Sequence, residues 1–502
     1  MLEIVRPGLL LMVFGPALVG LAALAFGARA PRIAGQLGAA TAGLGFAGAV
    51  ALAVRSGGAE VLTAQLGPLS LVADRLSAAL LLLVFGVSAI VQAFAVRYLG
   101  GDPRAPWFIG GAGLLTAASA GLMTAATLVG MAAFWTAAGA ALCMLLATYW
   151  HLPAARDGVR RTVIAFGIGD LALWSAVILA SAAWGRIELR AIEPGQFEGA
   201  LVGVFALLIV IAALSRSAQI PFHRWLPATL AAPTPVSALL HAGVVNAGGI
   251  LLIRLAPLAT DDVARALTVL AGAATMIYGG VVMLVKPDIK GALVHSTTAQ
   301  MGFMILTCGL GLWAAAVIHL IAHGFYKATL FLSSGSAIAQ SRRGQALPQA
   351  ATPAGARRLA LAGASLALPA LALAAALAVV PLPEGDHAAE QALLIFAFVT
   401  GAAASWGWLH RRPSLFGVAT GAAFLLPAAI AYVAMIKGLS GFLAPALPAS
   451  TLSVTTVWVT AAVTLAALGI IAIARRVPAA ARLQRALYTQ ALTAGHLTGA
   501  RA

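Results

Sequence analysis

The sequence predicts an all-α polytopic membrane protein of about fifteen transmembrane helices, and three observations predict it. Hydrophobic residues fill 61% of the 502 positions and charged residues only 9%, against about 25% charged in a typical soluble domain. The apolar residues gather in runs of roughly 20, the length that crosses the hydrocarbon core of a bilayer as a helix. Alternating segments of about 10 residues, the signature of an outer-membrane barrel, do not occur. Inside lipid every backbone N–H and C=O must be satisfied within its own segment, so such runs form helices.

In chain order the expected spans lie near 8–28, 33–54, 76–96, 106–124, 128–148, 162–184, 200–220, 235–256, 263–285, 291–312, 313–338, 358–381, 390–409, 415–435 and 452–474. The first run is long enough to span and lacks a small-residue cleavage site, so it reads as a helix rather than a signal peptide. Three helices, to about residue 100, precede a block that holds nearly all the intramembrane polar residues, 101–338. The remaining spans are rich in Ala and Leu. Gln340–Pro353 has the composition of an exposed connecting loop, and Val477–Ala502 reads either as a basic amphipathic surface helix or as a disordered tail.

The net charge of +16 reads as topology rather than as a nucleic-acid footprint. Numbering the loops alternately places twenty-one basic residues on one side, among them Arg29, Arg32, Arg156, Arg160, Arg161, Lys286 and Lys290, against seven on the other. Eleven of the fifteen acidic residues fall on the second side. This is the positive-inside bias; it predicts an N-terminus outside and a C-terminus in the cytoplasm of a bacterial inner membrane. Both cysteines, Cys143 and Cys308, lie within spans and read as small core residues. No nucleotide or zinc motif occurs in a credible context, so neither a metal nor a cofactor is expected in this chain.

An ionisable side chain at mid-bilayer costs on the order of 2.5–3.5 kcal/mol on insertion scales, so each one calls for a functional hypothesis. Asp170, Arg216, His241, His295, His319, His323 and Lys327 are the candidates. His319, His323 and Lys327 are spaced by four, which lines them along one stripe of a helix over roughly 12 Å. Histidine titrates near neutrality and a buried lysine readily loses its proton, so the stripe can pass protons stepwise. Pro221 follows Arg216 closely and breaks the helix; Pro233 and Pro235 then open a new helix that carries His241. Broken helices at membrane depth are how transporters build ion sites. Arg216 could equally stitch helices together by pairing with Asp170, the only acidic residue in the interior of an expected span.

The segments Ser217–Pro221 and Ala232–Ala242 closely resemble the signature of the antiporter-like membrane subunits of respiratory complex I and the Mrp cation/proton antiporters. Asp288–Thr297 is similar to the start of that family's tenth helix, His319–Ser336 to its eleventh, and Asp74–Ser77 with Arg97–Tyr98 to its third. The resemblance covers about 70–340 and fades through about 410. It implies two inverted five-helix repeats, near 101–256 and 257–410, each with a discontinuous helix. Residues 1–100 and 411–502 then supply three N-terminal helices, and two C-terminal helices with a basic tail. It further implies a central chain of Lys, His and Glu that carries protons.

Three departures alter that picture. Trp135-Thr136 stands where the family has Trp-Glu, and Arg216 where it has lysine. Arginine stays charged at any accessible pH and cannot relay a proton by losing one. The twelfth-helix lysine has no counterpart, His387 being the nearest substitute, with Glu384, Asp386 and Glu390 beside it. The long lateral helix of the largest complex I subunit needs more C-terminal sequence than these 502 residues hold, so it is not expected here.

A shortened, altered member of this kind most resembles the membrane subunits of Dab-type inorganic-carbon accumulation systems. The implied partner is a large cytoplasmic zinc-containing protein (DabA-like) that resembles β-carbonic anhydrase and hydrates CO2 to bicarbonate. Zinc is expected there and not in this chain, and the remaining contacts are membrane lipid, with no nucleic acid. Two other functions stay open: a subunit of a complex I-like or Mrp-type antiporter complex, and a non-conducting scaffold.

Overall fold

The computed structural model describes residues 2–57, 61–192, 197, 199–258, 261–336, 355–382, 387–448 and scattered positions from 455 to 493. Most of the expected fifteenth span and of the C-terminal tail, the 340–353 loop, and Glu384 and Asp386 lie outside the described residues.

Helices follow one another as α1 (Leu2–Phe26), α2 (Pro31–Ser56), α3 (Arg75–Tyr98), α4 (Ala105–Thr124), α5 (Leu128–Leu146) and α6 (Pro153–Trp184). Then come α7 (Ala200–Arg216), α8 (Thr234–Ala242), α9 (Ala247–Arg254), α10 (Asp262–Met283), α11 (Ile289–Gly309) and α12 (Trp313–Leu332). The last described are α13 (Gly355–Val379), α14 (Ala388–Arg411) and α15 (Leu415–Leu443). Among the described residues, twelve spans are long and apolar enough to cross a membrane, α8 and α9 counting as one. The chain is a multi-pass membrane protein. The expected spans near 200–220 and 291–312 are helices outside that twelve. The first is cut short as α7, and α11 is diluted by His295, Ser296, Thr297, Thr298 and Gln300.

One element departs from the all-helical expectation. Between α2 and α3 an antiparallel hairpin pairs β1 (Leu62–Leu66) with β2 (Leu69–Ala73), turning at Gly67 with φ 57°. These residues lie outside any apolar run and alternate in burial along β1, as a half-covered strand does. The hairpin edge continues into the loops, with Ala126 N donating to Ser70 O and Leu189 N to Ala126 O (3.0 and 2.8 Å).

Helix starts follow local capping. Asp74 accepts from Ser77 N, Thr127 from Gly130 N, Asp261 from Ala264 N and Asp288 from Gly291 N, each satisfying one orphan amide of a first turn. α10 and α11 meet backbone to backbone, because a Cβ on Gly302 would lie 2.4 Å from Met276 N; small residues allow such approaches in membranes.

The chain divides into two compact units. One holds 1–311, 320–335 and the described positions beyond Pro448; the other holds 312–319 and 336–447. In the first, the α8–α9 segment is innermost, with 94% of its apolar stretch buried against 22% for α2. That buried segment carries His241. In the second, α13 and α15 pack through Ala372, Ala376, Ala429 and Val433.

Candidate functional site

The first group of polar side chains is built by the end of α7. Pro221 cannot donate to the carbonyl of Ser217 and its ring crowds that oxygen, so the helix stops at Arg216 rather than near 220. Ser217 N and Gln219 N close it on Ala213 O and Leu214 O, and Trp225 Nε1 donates to Ser215 O (3.0 Å). Arg216, 1% exposed, is thereby held deep in the helix packing. Its Nη2 donates to Asp170 Oδ1 of α6 at 2.7 Å, and Trp135 Nε1 donates to the same oxygen at 2.8 Å. The guanidinium lies over two rings, 4.5 Å from Trp135 and 4.0 Å from Phe166. Gly139 makes the space, since a Cβ there would sit 2.6 Å from Nη1. Thr136 accepts from Trp174 Nε1 (3.1 Å), so the carboxylate in this region comes from α6 instead of α5.

The second group surrounds Lys327 on α12. Its side chain is 0% exposed. Nζ donates to Ser296 Oγ and, at 3.3 Å, to Leu293 O, both on α11. His295, beside Ser296, is 1% exposed. His323 lies one turn before Lys327 and is 3% exposed. His241 of α8 stacks on Phe331, 4.3 Å between centroids and 12° between planes, one turn beyond Lys327. Among the described residues neither ring nitrogen of His241 has a hydrogen-bond partner. His319, a further turn before His323, belongs to the second unit, where its ring meets Phe396 edge-on at 5.4 Å.

Arg216 and Asp170 are thus in direct contact, and Lys327 is joined to the helix of His295. Pro221 sits at the end of α7. Pro233 and Pro235 start α8, with Val236 N donating to Pro233 O (2.9 Å). The α8–α9 segment is itself broken at Gly243–Asn246, just past His241. There Val245 O accepts from Ser217 Oγ (2.7 Å) and Ala242 O from Asn246 Nδ2 (2.8 Å). His387 is half-buried at the start of α14.

Sequence reasoning missed two groups. His223 meets Tyr278 at 4.7 Å between centroids, and Tyr278 meets His295 at 6.3 Å, a ring series that begins just past the α7 break. Arg254, at the end of the buried α9, bonds Asp74 at 2.9 Å, Ser77 Oγ at 2.7 Å and Met123 O at 2.9 Å. Its signal was a charge at the end of an apolar run. Burial pushes the Asp74 carboxyl up, but the charge and hydrogen bonds of Arg254, with Ser77, outweigh it and bring it to about 2 from 3.8.

A carboxyl so depressed stabilises the fold above its unfolded value, and the contribution is lost as pH falls through the folded one. Melting of the detergent-solubilised chain is therefore expected to lose roughly 2 kcal/mol of stability between about pH 5 and pH 2 from this group. Asp74→Asn is expected to remove that part of the acid dependence and to lower stability at neutral pH.

With this geometry in view, the comparisons with known proteins are specific. The family described as NADH:quinone oxidoreductase/Mrp antiporter, transmembrane, matches residues 125–410, more than half of the chain. Residues 67–109 match the N-terminus of NADH-ubiquinone oxidoreductase (complex I) chain 5. The probable inorganic carbon transporter subunit DabB1 of Halothiobacillus neapolitanus is 39% identical over 323 residues, 62% of this chain and 57% of that protein. NADH-quinone oxidoreductase subunit L of Mycobacterium tuberculosis is 34% identical over 271 residues, 53% of this chain and 43% of that protein.

The chain spans about half the length of the curated relatives it matches. The Mrp complex from a Dietzia species superposes with a TM-score of 0.64 at 24% identity, over 96% of this chain and 57% of that one, a likeness of fold. On the family match across its polar core, the chain belongs to the NADH:quinone oxidoreductase/Mrp antiporter family of membrane subunits.

Proposed function

We propose that this chain is the proton-conducting membrane subunit of a bacterial inner-membrane complex that accumulates inorganic carbon. The observation that carries the reading is Lys327, an amine with no exposed surface whose Nζ is met by two neutral oxygens. A cation placed so in a membrane is functional by default. Lys327, His323, His319, His295 and His241 exchange the proton, and Arg216 with Asp170 forms a fixed charge pair that tunes the path. The N-terminus lies outside and the C-terminus in the cytoplasm, following the distribution of Arg and Lys among the loops.

The proton motive force then energises a large cytoplasmic partner, a zinc protein of the β-carbonic-anhydrase type that hydrates CO2 to bicarbonate. The relatives named as probable inorganic carbon transporter subunits support this choice. The match to subunit L supports the second reading, a subunit of a complex I-like or Mrp-type antiporter complex.

The test is to tag the chain, purify it from native membranes in mild detergent, and identify its companions and their metal content. A large soluble zinc protein in fixed stoichiometry is the expected result. An assembly bearing flavin and iron–sulfur centres, or a set of small antiporter subunits, would move the chain to the second reading. A chain that purifies alone would remove the partner.

A further inference from the structure

A line of polar groups outside the relay runs along α3. Gln92 Nε2 donates to Ser88 Oγ at 2.8 Å, Ser88 lies 2.6 Å from Thr116 Oγ1 of α4, and Thr116 donates to Ala112 O at 2.7 Å. Thr116 has one proton and gives it to Ala112, so Ser88 is the donor between the hydroxyls. All three side chains are at most 3% exposed. Stitching α3 to α4 is reason enough for the two hydroxyls. It does not account for the amide, because Gln92 Oε1 is buried and accepts from no donor among the described residues.

Three cavities frame the line. The first, about 190 Å³, has Arg32, Gly100 and Gly101 at its exposed rim and Gln92 in its inner wall. The second, about 30 Å³, touches Ser88, Thr116, Ser119 and Gly243. The third, about 20 Å³, shares Ser119 and Gly243 with the second and reaches Arg216 and Asn246. Asn246 Oδ1, like Gln92 Oε1, accepts from no donor among the described residues. A cavity needs on the order of 10–15 Å³ for one water, so the first has room for several and the others for one each. From Gln92 to Leu80, which lines the third cavity, α3 rises roughly 18 Å at 1.5 Å per residue. That is over half of a hydrocarbon core about 30 Å thick.

We infer that α3 and α4, with the start of α2, enclose a hydrated side passage from the Arg32 end of the molecule to the Arg216–Asp170 pair, with Gln92 at its neck. The passage brings water, and with it protons, to the charge pair that tunes the relay. Its use in conduction rests on the function proposed above; its hydration does not.

The test uses the complete chain, with its native companions, in sealed vesicles of known orientation. Cysteines are placed at Thr116→Cys and Ser119→Cys in a Cys143→Ala, Cys308→Ala background, and silver ion is added from the Arg32 face. Leu171→Cys, at a position 71% exposed on α6, gives the lipid-side reference. Both passage thiols are expected to react and the reference thiol not. Gln92→Leu is expected to slow the reaction about tenfold by removing the amide that solvates the neck. Ala95→Leu, which fills the first cavity from α3, provides a second variant with the same expectation.

Passage thiols that stay unreactive, or that react at the same rate in both variants, overturn the passage. Voltage-driven proton uptake by the same vesicles separates the two claims. Labelling as expected without uptake leaves the passage and removes the proton function. Uptake that depends on Lys327 without labelling does the reverse.

Discussion

Lys327→Met is expected to lower voltage-driven proton uptake in proteoliposomes at least about a hundredfold, the low end of what one positioned acid–base group contributes. The assembled complex is expected to persist, for a reason visible in the packing. Ser296 Oγ donates to Leu293 O at 2.7 Å, so the two oxygens that receive the ammonium remain bonded to each other when it is gone. Methionine fills a similar volume with an apolar chain, so no buried polar group is stranded and no cavity opens. Lost flux then reads as lost proton exchange and not as unfolding. Lys327→Arg makes the complementary prediction: it keeps the charge but not the ability to give up a proton, and flux is again expected to fall. If both variants conduct as the unsubstituted chain does, the proton does not pass through Lys327 and the relay proposed on α12 falls.

The spans were legible because membrane insertion is decided by local hydropathy, residue by residue along one segment. The His319–His323–Lys327 stripe was legible because helix periodicity converts a spacing of four into one face. The interruption after Arg216 was legible from Pro221. Its position four residues earlier follows from where a proline clashes, which hydropathy does not register. The pairing of Arg254 with Asp74 was not legible. Those residues are 180 apart in sequence, and each looks locally like the end of an apolar run. The break at Gly243–Asn246 has no proline to announce it. It is made by tertiary bonds, from Ser217 to Val245 O, that a single segment does not contain. The β1–β2 hairpin was hidden for a different reason, since a short alternating stretch between two long apolar runs carries little weight beside them. His223 and Tyr278 draw their interest only from standing next to His295.

The Arg216–Asp170 pair yields the other large effect, and the two partners are not equivalent. Asp170→Ala is expected to cost about 3–5 kcal/mol in thermal or denaturant unfolding, because it strands a buried guanidinium. The side chain of Arg216 is 1% exposed and that of Asp170 is 21% exposed. Arg216→Met is therefore expected to cost less, since its carboxylate keeps the Trp135 indole (2.8 Å) and some access to its surroundings. Replacing both, Asp170→Leu with Arg216→Met, removes the two charges together and is expected to restore stability to near the unsubstituted level.

The double variant decides between the two roles. A pair that only stitches α6 to α7 can be exchanged for apolar packing without consequence, and proton uptake in the folded double variant would persist. A pair that tunes the path supplies a fixed field and polar surface at the end of the broken helix, which Leu and Met do not replace. Uptake is then expected to fall at least about tenfold although the protein is fully folded, since a loss of 1.36 kcal/mol at the rate-limiting step suffices for that. Measuring unfolding and flux on the same three variants separates the energy the pair gives the fold from what it gives the proton.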